Sequence, residues 1–167
     1  MLIYSSPCNP AGSMFSKDEL KAIAWVIAPH PQIYILSDEI YENIHFEMKH
    51  ESIAQFDFIK DRVIVVNGVS KGYAMTGWRL GYIGAPLEVA KACDKMQGQF
   101  TSGTNSIAQK AALTALSLDY KEFDFMRESF LKRRDLMLKL LNEIPGLKMN
   151  KPHGAFYIFP DVSFYFG

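Results

Sequence analysis

Cysteine is scarce in this sequence, and neither sign of charge is in excess. The two cysteines, Cys8 and Cys93, form neither a metal-ligand spacing nor a disulfide framework. Eighteen basic residues balance eighteen acidic ones, and such a balance gives no reason to expect a nucleic acid or an anionic membrane as a partner. We therefore expect a cytoplasmic protein with reduced thiols and no metal site.

Long apolar runs are also missing. The run from Val63 to Val66 is far too short to span a bilayer, and the first residues lack the basic region and apolar stretch of a signal peptide. Hydrophobic residues still make up 49% of the 167 residues, which is ordinary for a globular domain with a core. Because the chain opens almost inside a strand and closes on aromatic residues before Gly167, we expect a central fragment of a longer protein.

Short apolar segments alternate with helical patterns along the first 118 residues. Four apolar segments predict buried strands: residues 2–5, 33–36, 63–66 and 80–85. Helical spacing predicts three helices: residues 17–28, 86–98 and 105–116. Ser16 and Glu19 fit a capping box at the start of the first helix. Continuous apolar strands separated by long crossovers indicate an α/β fold with a largely parallel sheet covered on both faces.

A long amphipathic stretch follows, from residue 119 to residue 144, and ends at Pro145. Its length is typical of a helix that links two domains, and residues 154–159 predict a strand of a second, smaller α+β domain. We therefore divide the chain into three parts: part of a large domain at 1–118, a linking helix at 119–145, and the start of a small domain at 146–167.

Chemically useful side chains follow three of the predicted strands. Asn9 comes after the first strand, and Asp38 and Tyr41 come after the second. Ser70 and Lys71 follow the third strand. In open parallel sheets, ligands bind just beyond the carboxyl ends of the strands. The sequence therefore predicts a site at this edge for a small, charged, aromatic ligand.

Each of these residues, taken alone, has a simpler interpretation. Lysines such as Lys71 are mostly exposed, and Asp38 could cap a helix that begins after its strand. Tyr41 could be a packed aromatic and Asn9 a turn residue. Arg79, eight residues after Lys71, could form a surface ion pair. Only their combination favours a functional site.

Residues 68–81, with the sequence GVSKGYAMTGWRLG, resemble the cofactor-lysine motif of class I/II aminotransferases. Residues 9–12, NPAG, and residues 37–41, SDEIY, resemble two further motifs of that family. Residues 154–157, GAFY, are similar to a motif of its small domain. The letters MTGWR are typical of the bacterial aspartate aminotransferase subgroup. The motifs agree in type, order and spacing across the whole chain.

The resemblance implies the major domain of the pyridoxal 5'-phosphate (PLP)-dependent transferase fold, and PLP as the cofactor. Lys71 would form the Schiff base with PLP and then move a proton from the substrate α-carbon. Asp38 would pair with the pyridine nitrogen and keep it protonated. Tyr41 and Asn9 would donate hydrogen bonds to the phenolic oxygen, favouring an unprotonated Schiff base at neutral pH.

The resemblance also implies how the cofactor phosphate is bound. Arg79 would hold it through its planar guanidinium, and Ser70 would add a hydroxyl. Relatives often carry a serine three residues before the lysine, where this chain has Gly68. The departure implies one phosphate contact fewer from a side chain.

The function implied is transamination of an aspartate-like amino acid with a 2-oxo acid, by a homodimer at full length. Two alternatives stay open on the same scaffold: a PLP-dependent lyase or decarboxylase, and a non-catalytic PLP-binding regulatory domain. Substrates are small molecules, and no nucleic acid or membrane is expected as a partner. We expect this chain by itself to bind PLP weakly and to be inactive, because parts of the site would come from outside it.

Overall fold

The computed structural model describes residues 1–166 and contains a four-stranded sheet, a two-stranded sheet and four α-helices. The strands of the larger sheet are β1 (Leu2–Ser5), β2 (Ile35–Asp38), β3 (Val63–Gly68) and β4 (Gly81–Gly84). The helices are α1 (Lys17–Ile27), α2 (Leu87–Phe100), α3 (Ser106–Ser117) and α4 (Asp124–Asn142). The smaller sheet pairs β5 (Lys148–Met149) with β6 (Pro160–Asp161). Gly167, the end of the predicted third part, lies outside the described residues.

The larger sheet has the order β1-β2-β3-β4, and three of its strands run in the same direction. β1 is parallel to β2 and β2 is parallel to β3, whereas β4 is antiparallel to β3. The register pairs Ser5 with Asp38 and Asp38 with Val66. The prediction of a mostly parallel α/β fold is therefore confirmed, and the carboxyl ends of β1, β2 and β3 meet at one edge.

Helix α1 packs on the sheet through one apolar face. Leu20, Ala24 and Ile27 recur at helical spacing and are at most 6% exposed. They share one core cluster with Ile35 of β2 and Val63 of β3. The helix begins where predicted, because Ser16 accepts a hydrogen bond from Glu19 N while the Glu19 carboxylate accepts one from Ser16 N.

Arg62 secures the other end of α1, a role that its sequence context does not indicate. Its side chain is buried, and its guanidinium donates to the carbonyl oxygens of His30 at 2.7 Å and of Ile27 and Ala28 at 3.4 Å. These carbonyls lie at and just after the last turn of the helix, where backbone acceptors have no helical partner. The buried guanidinium thus provides hydrogen-bond donors for carbonyl oxygens at the end of α1, where the chain leaves the helix toward β2.

The segment from β4 through α2 is more exposed to solvent than the part of the chain before it. All four residues of β4 are exposed, and α2 has no buried residue. Large apolar side chains of α2 lie on the surface, with Leu87 66%, Met96 61% and Phe100 81% exposed. The expectation that the sheet is covered on both faces therefore fails at β4. Within the described residues, no helix is long and apolar enough to cross a membrane.

Three predicted elements differ from those observed. β2 starts at Ile35 and not at residue 33, because Ile33 N is engaged in a turn with His30 O. The predicted helix 119–144 divides into a 3-10 turn, Tyr120–Phe123, and α4. Residues 154–159 form no strand; only Gly154 bridges to a single residue, His45. The backbone of Gly154 and Ala155 instead donates to the loops that follow β1 and β2, and β5 and β6, which flank this segment in sequence, pair with each other.

Arg134 joins α4 to the loop that follows β2. Its side chain is 5% exposed, and both terminal nitrogens lie 2.8 Å from the Glu47 carboxylate. The guanidinium also donates to Pro152 O at 3.0 Å and lies over the Phe46 ring at 4.6 Å. The hydrogen bond from Arg134 lowers the pKa of Glu47 from 4.5 to about 2. The ion pair therefore holds together three segments that are distant in sequence.

Replacing Arg134 with methionine is expected to lower the free energy of unfolding by about 2 kcal/mol, because a charged hydrogen bond contributes about 1.5–3 kcal/mol and Glu47 is 43% exposed. Urea denaturation with an unchanged m-value would measure it. Lys132→Met, on an exposed position of the same helix, is the control and should change little.

The pH dependence gives a second check on the same variant. Glu47 is more acidic in the folded chain, so its contribution is present above about pH 4.5 and is lost as the pH falls toward 2. The difference between wild type and Arg134→Met should shrink over that interval. A difference that stays constant down to pH 3 would contradict the assignment.

Candidate functional site

The edge where β1, β2 and β3 end carries most of the residues that the sequence singled out. Asp38 is the last residue of β2, and its Oδ1 accepts a hydrogen bond from Ile40 N at 3.1 Å. The structure describes a turn and no helix directly after β2, so the helix-capping interpretation of Asp38 is wrong, and this oxygen stabilises that turn instead. Among the described residues, Oδ2 of Asp38 accepts no hydrogen bond. One carboxylate oxygen thus remains available for a ligand beyond the sheet.

Tyr41 lies in the turn after β2 and is 4% exposed. Its hydroxyl is 2.6 Å from the hydroxyl of Tyr157, and the Asn9 side chain lies near enough to affect its ionisation. Burial and then the Tyr157 hydrogen bond raise the pKa of Tyr41, and the Asp38 charge acts in the same direction. Tyr41 therefore remains protonated and able to donate. The structure brings Asn9, Asp38 and Tyr41 together as the sequence predicts.

Lys71 lies in the loop that follows β3, and neighbouring segments fix the course of that loop. The Tyr120 hydroxyl lies 3.2 Å from Gly72 O and 3.3 Å from Asn43 O. A Cβ on Gly72 would lie 2.8 Å from the Asn43 side chain, so only glycine fits there without a shift. Ala74 has a φ of 54°, a left-handed conformation that costs energy for alanine. The close packing around the lysine loop therefore outweighs the strain at Ala74 and fixes the path of the loop.

The amine of Lys71 faces an aromatic cavity. Lys71 and Ser70 line a space of about 410 Å³ together with Phe130 and Phe156. The Lys71 Nζ lies 5.9 Å from the centre of the Phe156 ring, and the same ring meets Tyr41 edge-on at 5.3 Å. Within residues 1–166, Lys71 forms no salt bridge. A free amine and the Tyr41 phenol thus share one aromatic neighbour.

Arg79 lies apart from that cavity. It is exposed, has a φ of 53°, and donates to Thr76 O at 2.7 Å. With Trp78 and Gln97 it lines a second space of about 620 Å³. The structure therefore brings Ser70 and Lys71 together, and it leaves Arg79 facing a neighbouring cavity. The surface ion pair that was its simpler interpretation is not formed within the described residues.

Gly68, where relatives often carry serine, has a steric explanation. A Cβ at this position would lie 2.8 Å from Leu80 O and 3.0 Å from the Cα of Gly81. Both neighbours belong to the backbone that leads into β4, which cannot move away as a side chain can. The close pairing of β3 with β4 therefore leaves no room for a serine side chain.

The segment 154–157 enters the site, although the sequence offered no role for its individual residues. Gly154 N donates to Gly12 O at 3.1 Å, and Ala155 N donates to Ile44 O at 2.8 Å. A Cβ on Gly154 would lie 2.6 Å from Pro7. Ala155 is fully buried with a φ of 58°. The four-residue motif was the signal that could have identified Phe156 and Tyr157 as site residues.

A buried carboxylate, Glu39, supports the turn behind Asp38. Its Oε1 accepts from Ser37 at 2.9 Å and from Ser52 at 2.7 Å, and its Oε2 lies 3.1 Å from Nε2 of His50. The atoms of Glu39, Glu42 and His50 are close enough together to bind a metal ion. The hydrogen bonds already occupy both Glu39 oxygens, which indicates a structural network.

The family model of aminotransferase class I and II matches residues 1–165. The chain is 48% identical over its whole length to the bifunctional aspartate aminotransferase and glutamate/aspartate-prephenate aminotransferase of Petunia hybrida, of which it covers 36%. It is 41% identical to the aspartate aminotransferase of Bacillus subtilis, with 97% of this chain and 42% of that protein covered. The chain thus spans about two-fifths of the length of these relatives.

Solved structures give the same match in three dimensions. The aspartate aminotransferase from Rhizobium meliloti superimposes with a TM-score of 0.92 at 41% identity, over 95% of this chain and 40% of that one. The Thermus thermophilus aspartate aminotransferase with maleate has a TM-score of 0.89 at 40% identity, over 97% and 42% of the two chains.

Proposed function

This chain belongs to the class I and II aminotransferases, and from that membership we propose that the protein carrying it is a PLP-dependent aminotransferase. It would transfer the amino group of an aspartate-like amino acid to a 2-oxo acid. The relatives named above are aspartate aminotransferases, one of them also acting with prephenate by name. Their names favour transamination over a lyase, a decarboxylase or a regulatory PLP-binding domain on the same fold.

One observation carries the proposal: a free lysine amine, an available carboxylate oxygen and a buried phenol lie at the carboxyl ends of the adjacent parallel strands β2 and β3. These groups fit PLP, because the cofactor needs an amine for covalent attachment and an anion at its ring nitrogen. When bound, PLP supplies a conjugated ring that accepts the electron pair of the substrate α-carbon. The protein must then bind and orient the cofactor and the substrate, and its residues must move the protons.

Lys71 and Asp38 have the two central roles in this proposal. The Nζ of Lys71 would hold the cofactor covalently and, once released by substrate, carry the proton from the substrate α-carbon. Its position beside Phe156 keeps one side of the amine against an apolar ring. The free Oδ2 of Asp38 would hold the proton on the ring nitrogen. Its other oxygen is fixed by Ile40 N, which orients the carboxylate.

The remaining residues would bind the oxygen atoms of PLP. Tyr41 and Asn9 would donate to the phenolic oxygen, and the raised pKa of Tyr41 supports a donor role at neutral pH. Arg79 would bind the phosphate, with Ser70 as a second donor. One guanidinium nitrogen of Arg79 donates to Thr76 O on the exposed surface, and its other N–H groups would donate to the phosphate.

We also propose a domain division, an oligomeric state and a cellular compartment for the protein. Residues 1–118 would belong to the large domain, 119–145 would link, and 146–167 would begin the small domain; the separate pairing of β5 with β6 supports the last boundary. The exposed apolar side chains of α2 support a homodimer. The free cysteines are compatible with a reducing cytoplasm.

Reduction of the PLP-loaded protein with borohydride, at its natural length, tests the central assignment. Borohydride fixes the cofactor to the amine that holds it, so peptide mapping should find the pyridoxyl group on Lys71. Lys91 and Lys95, both exposed on α2, serve as internal controls and should stay unlabelled. Labelling of any other lysine in place of Lys71 would refute the assignment.

A further inference from the structure

The hydroxyl groups of Tyr41 and Tyr157 form a hydrogen bond of 2.6 Å although 116 residues separate them. The distance is at the short end of the usual range for two oxygens. The two rings meet nearly perpendicular, with centroids 5.8 Å apart. The proposed role of Tyr41 requires only that it reach the cofactor, so it does not account for this second tyrosine.

The backbone that carries Tyr157 is fixed on both sides. Ala155 N and Gly154 N donate to the loops that hold Tyr41 and Asn9, and an added Cβ on Gly154 would lie 2.6 Å from Pro7. The buried left-handed Ala155 is a strained position of the kind found at functional sites. This hydrogen-bonded segment therefore positions Tyr157 against Tyr41.

The groups facing Tyr41 come from four segments. The Asn9 side chain and the Asp38 carboxylate lie near enough to the Tyr41 hydroxyl to affect its ionisation. Lys71 lies across the Phe156 ring, which contacts both side chains. Tyr157 completes the set. Of the groups that face Tyr41, only Tyr157 carries a hydroxyl, and a hydroxyl can both donate and accept a hydrogen bond.

We propose that Tyr157 is a positioning residue that orients the Tyr41 hydroxyl and strengthens its hydrogen bond to the phenolic oxygen of the cofactor, an inference that rests on the proposed function. In the hydroxyl pair, either oxygen can be the donor. When Tyr41 donates to the cofactor, its own oxygen is free to accept from Tyr157. Hydrogen bonds in such a chain polarise one another, so Tyr41 becomes the better donor.

The test is a pH titration of the visible absorbance of bound PLP in the protein at its natural length. In Tyr157→Phe, a weaker Tyr41 donor stabilises the phenolic anion less, so the nitrogen joining Lys71 to the cofactor should keep its proton to higher pH. The midpoint should rise by about 0.3–1 pH unit, since one neutral hydrogen bond corresponds to about one unit at most. The phenylalanine ring keeps the packing, and Tyr34→Phe, before β2 at the opposite end of that strand, is the control.

A double variant decides whether Tyr157 acts through Tyr41. Tyr41→Phe should raise the midpoint more than Tyr157→Phe does, and adding Tyr157→Phe to it should produce no further shift. A midpoint unchanged in Tyr157→Phe, or additive shifts in the double variant, would overturn the inference and leave the proposed function standing. A wild-type protein that forms no visible band with PLP would overturn both.

Discussion

Replacing Lys71 with alanine is expected to slow the half-reaction with aspartate by at least about four powers of ten. General acid–base catalysis alone contributes about 10²–10⁴-fold, and the variant also loses the covalent attachment of PLP. The structure supports a proton carrier here, because the Lys71 amine forms no salt bridge within residues 1–166 and lies beside an apolar ring. Single-turnover absorbance of the loaded protein measures the rate without steady-state complications.

Two further variants separate the amine from its charge. Lys71→Arg keeps a positive charge but offers no amine that can be deprotonated near neutral pH, so it should be as slow as Lys71→Ala. Lys95→Ala removes an exposed lysine of α2 and should leave the rate unchanged. A Lys71→Ala protein that reacts within tenfold of wild type would show that another group moves the proton.

Replacing Asp38 with asparagine is expected to slow the same half-reaction by about three powers of ten. Loss of the anion that keeps the ring nitrogen protonated would raise the barrier by about 4 kcal/mol, and each 1.36 kcal/mol is tenfold in rate. Asparagine keeps an oxygen for the hydrogen bond from Ile40 N, so the turn after β2 should be retained. The loss can then be ascribed to the charge and not to a rearranged backbone.

Measuring both stability and rate shows whether Asp38→Asn is slow because of the lost charge or because of a disturbed fold. Asp38→Asn should unfold within about 1 kcal/mol of wild type, because it retains the size and the turn-capping ability of the side chain. Asp57→Asn, at an exposed position away from the strand ends, is the matched control for rate. Near-normal turnover in Asp38→Asn would exclude Asp38 as the partner of the ring nitrogen.

The strands of the larger sheet, the start of α1 and the position of several candidate site residues at one sheet edge could be predicted from the sequence, because each has a local signature. Apolar runs mark the strands of the sheet, and Ser16 with Glu19 marks the start of α1. Three parallel strand ends then place Asn9, Asp38 and Lys71 at one edge, since carboxyl ends of parallel strands lie together. Local pattern and the geometry of parallel sheets were sufficient for this part.

Only the tertiary structure decided which distant groups meet. The buried cations Arg62 and Arg134 resemble surface residues in sequence, yet one satisfies the end of α1 and the other binds Glu47, 87 residues away. The segment 154–159 has the composition of a strand, but its backbone bonds to two loops instead. The Tyr41–Tyr157 contact likewise spans 116 residues. The periodicity of apolar residues reflects the local environment of each residue, whereas contacts between distant residues depend on the tertiary fold of the whole chain.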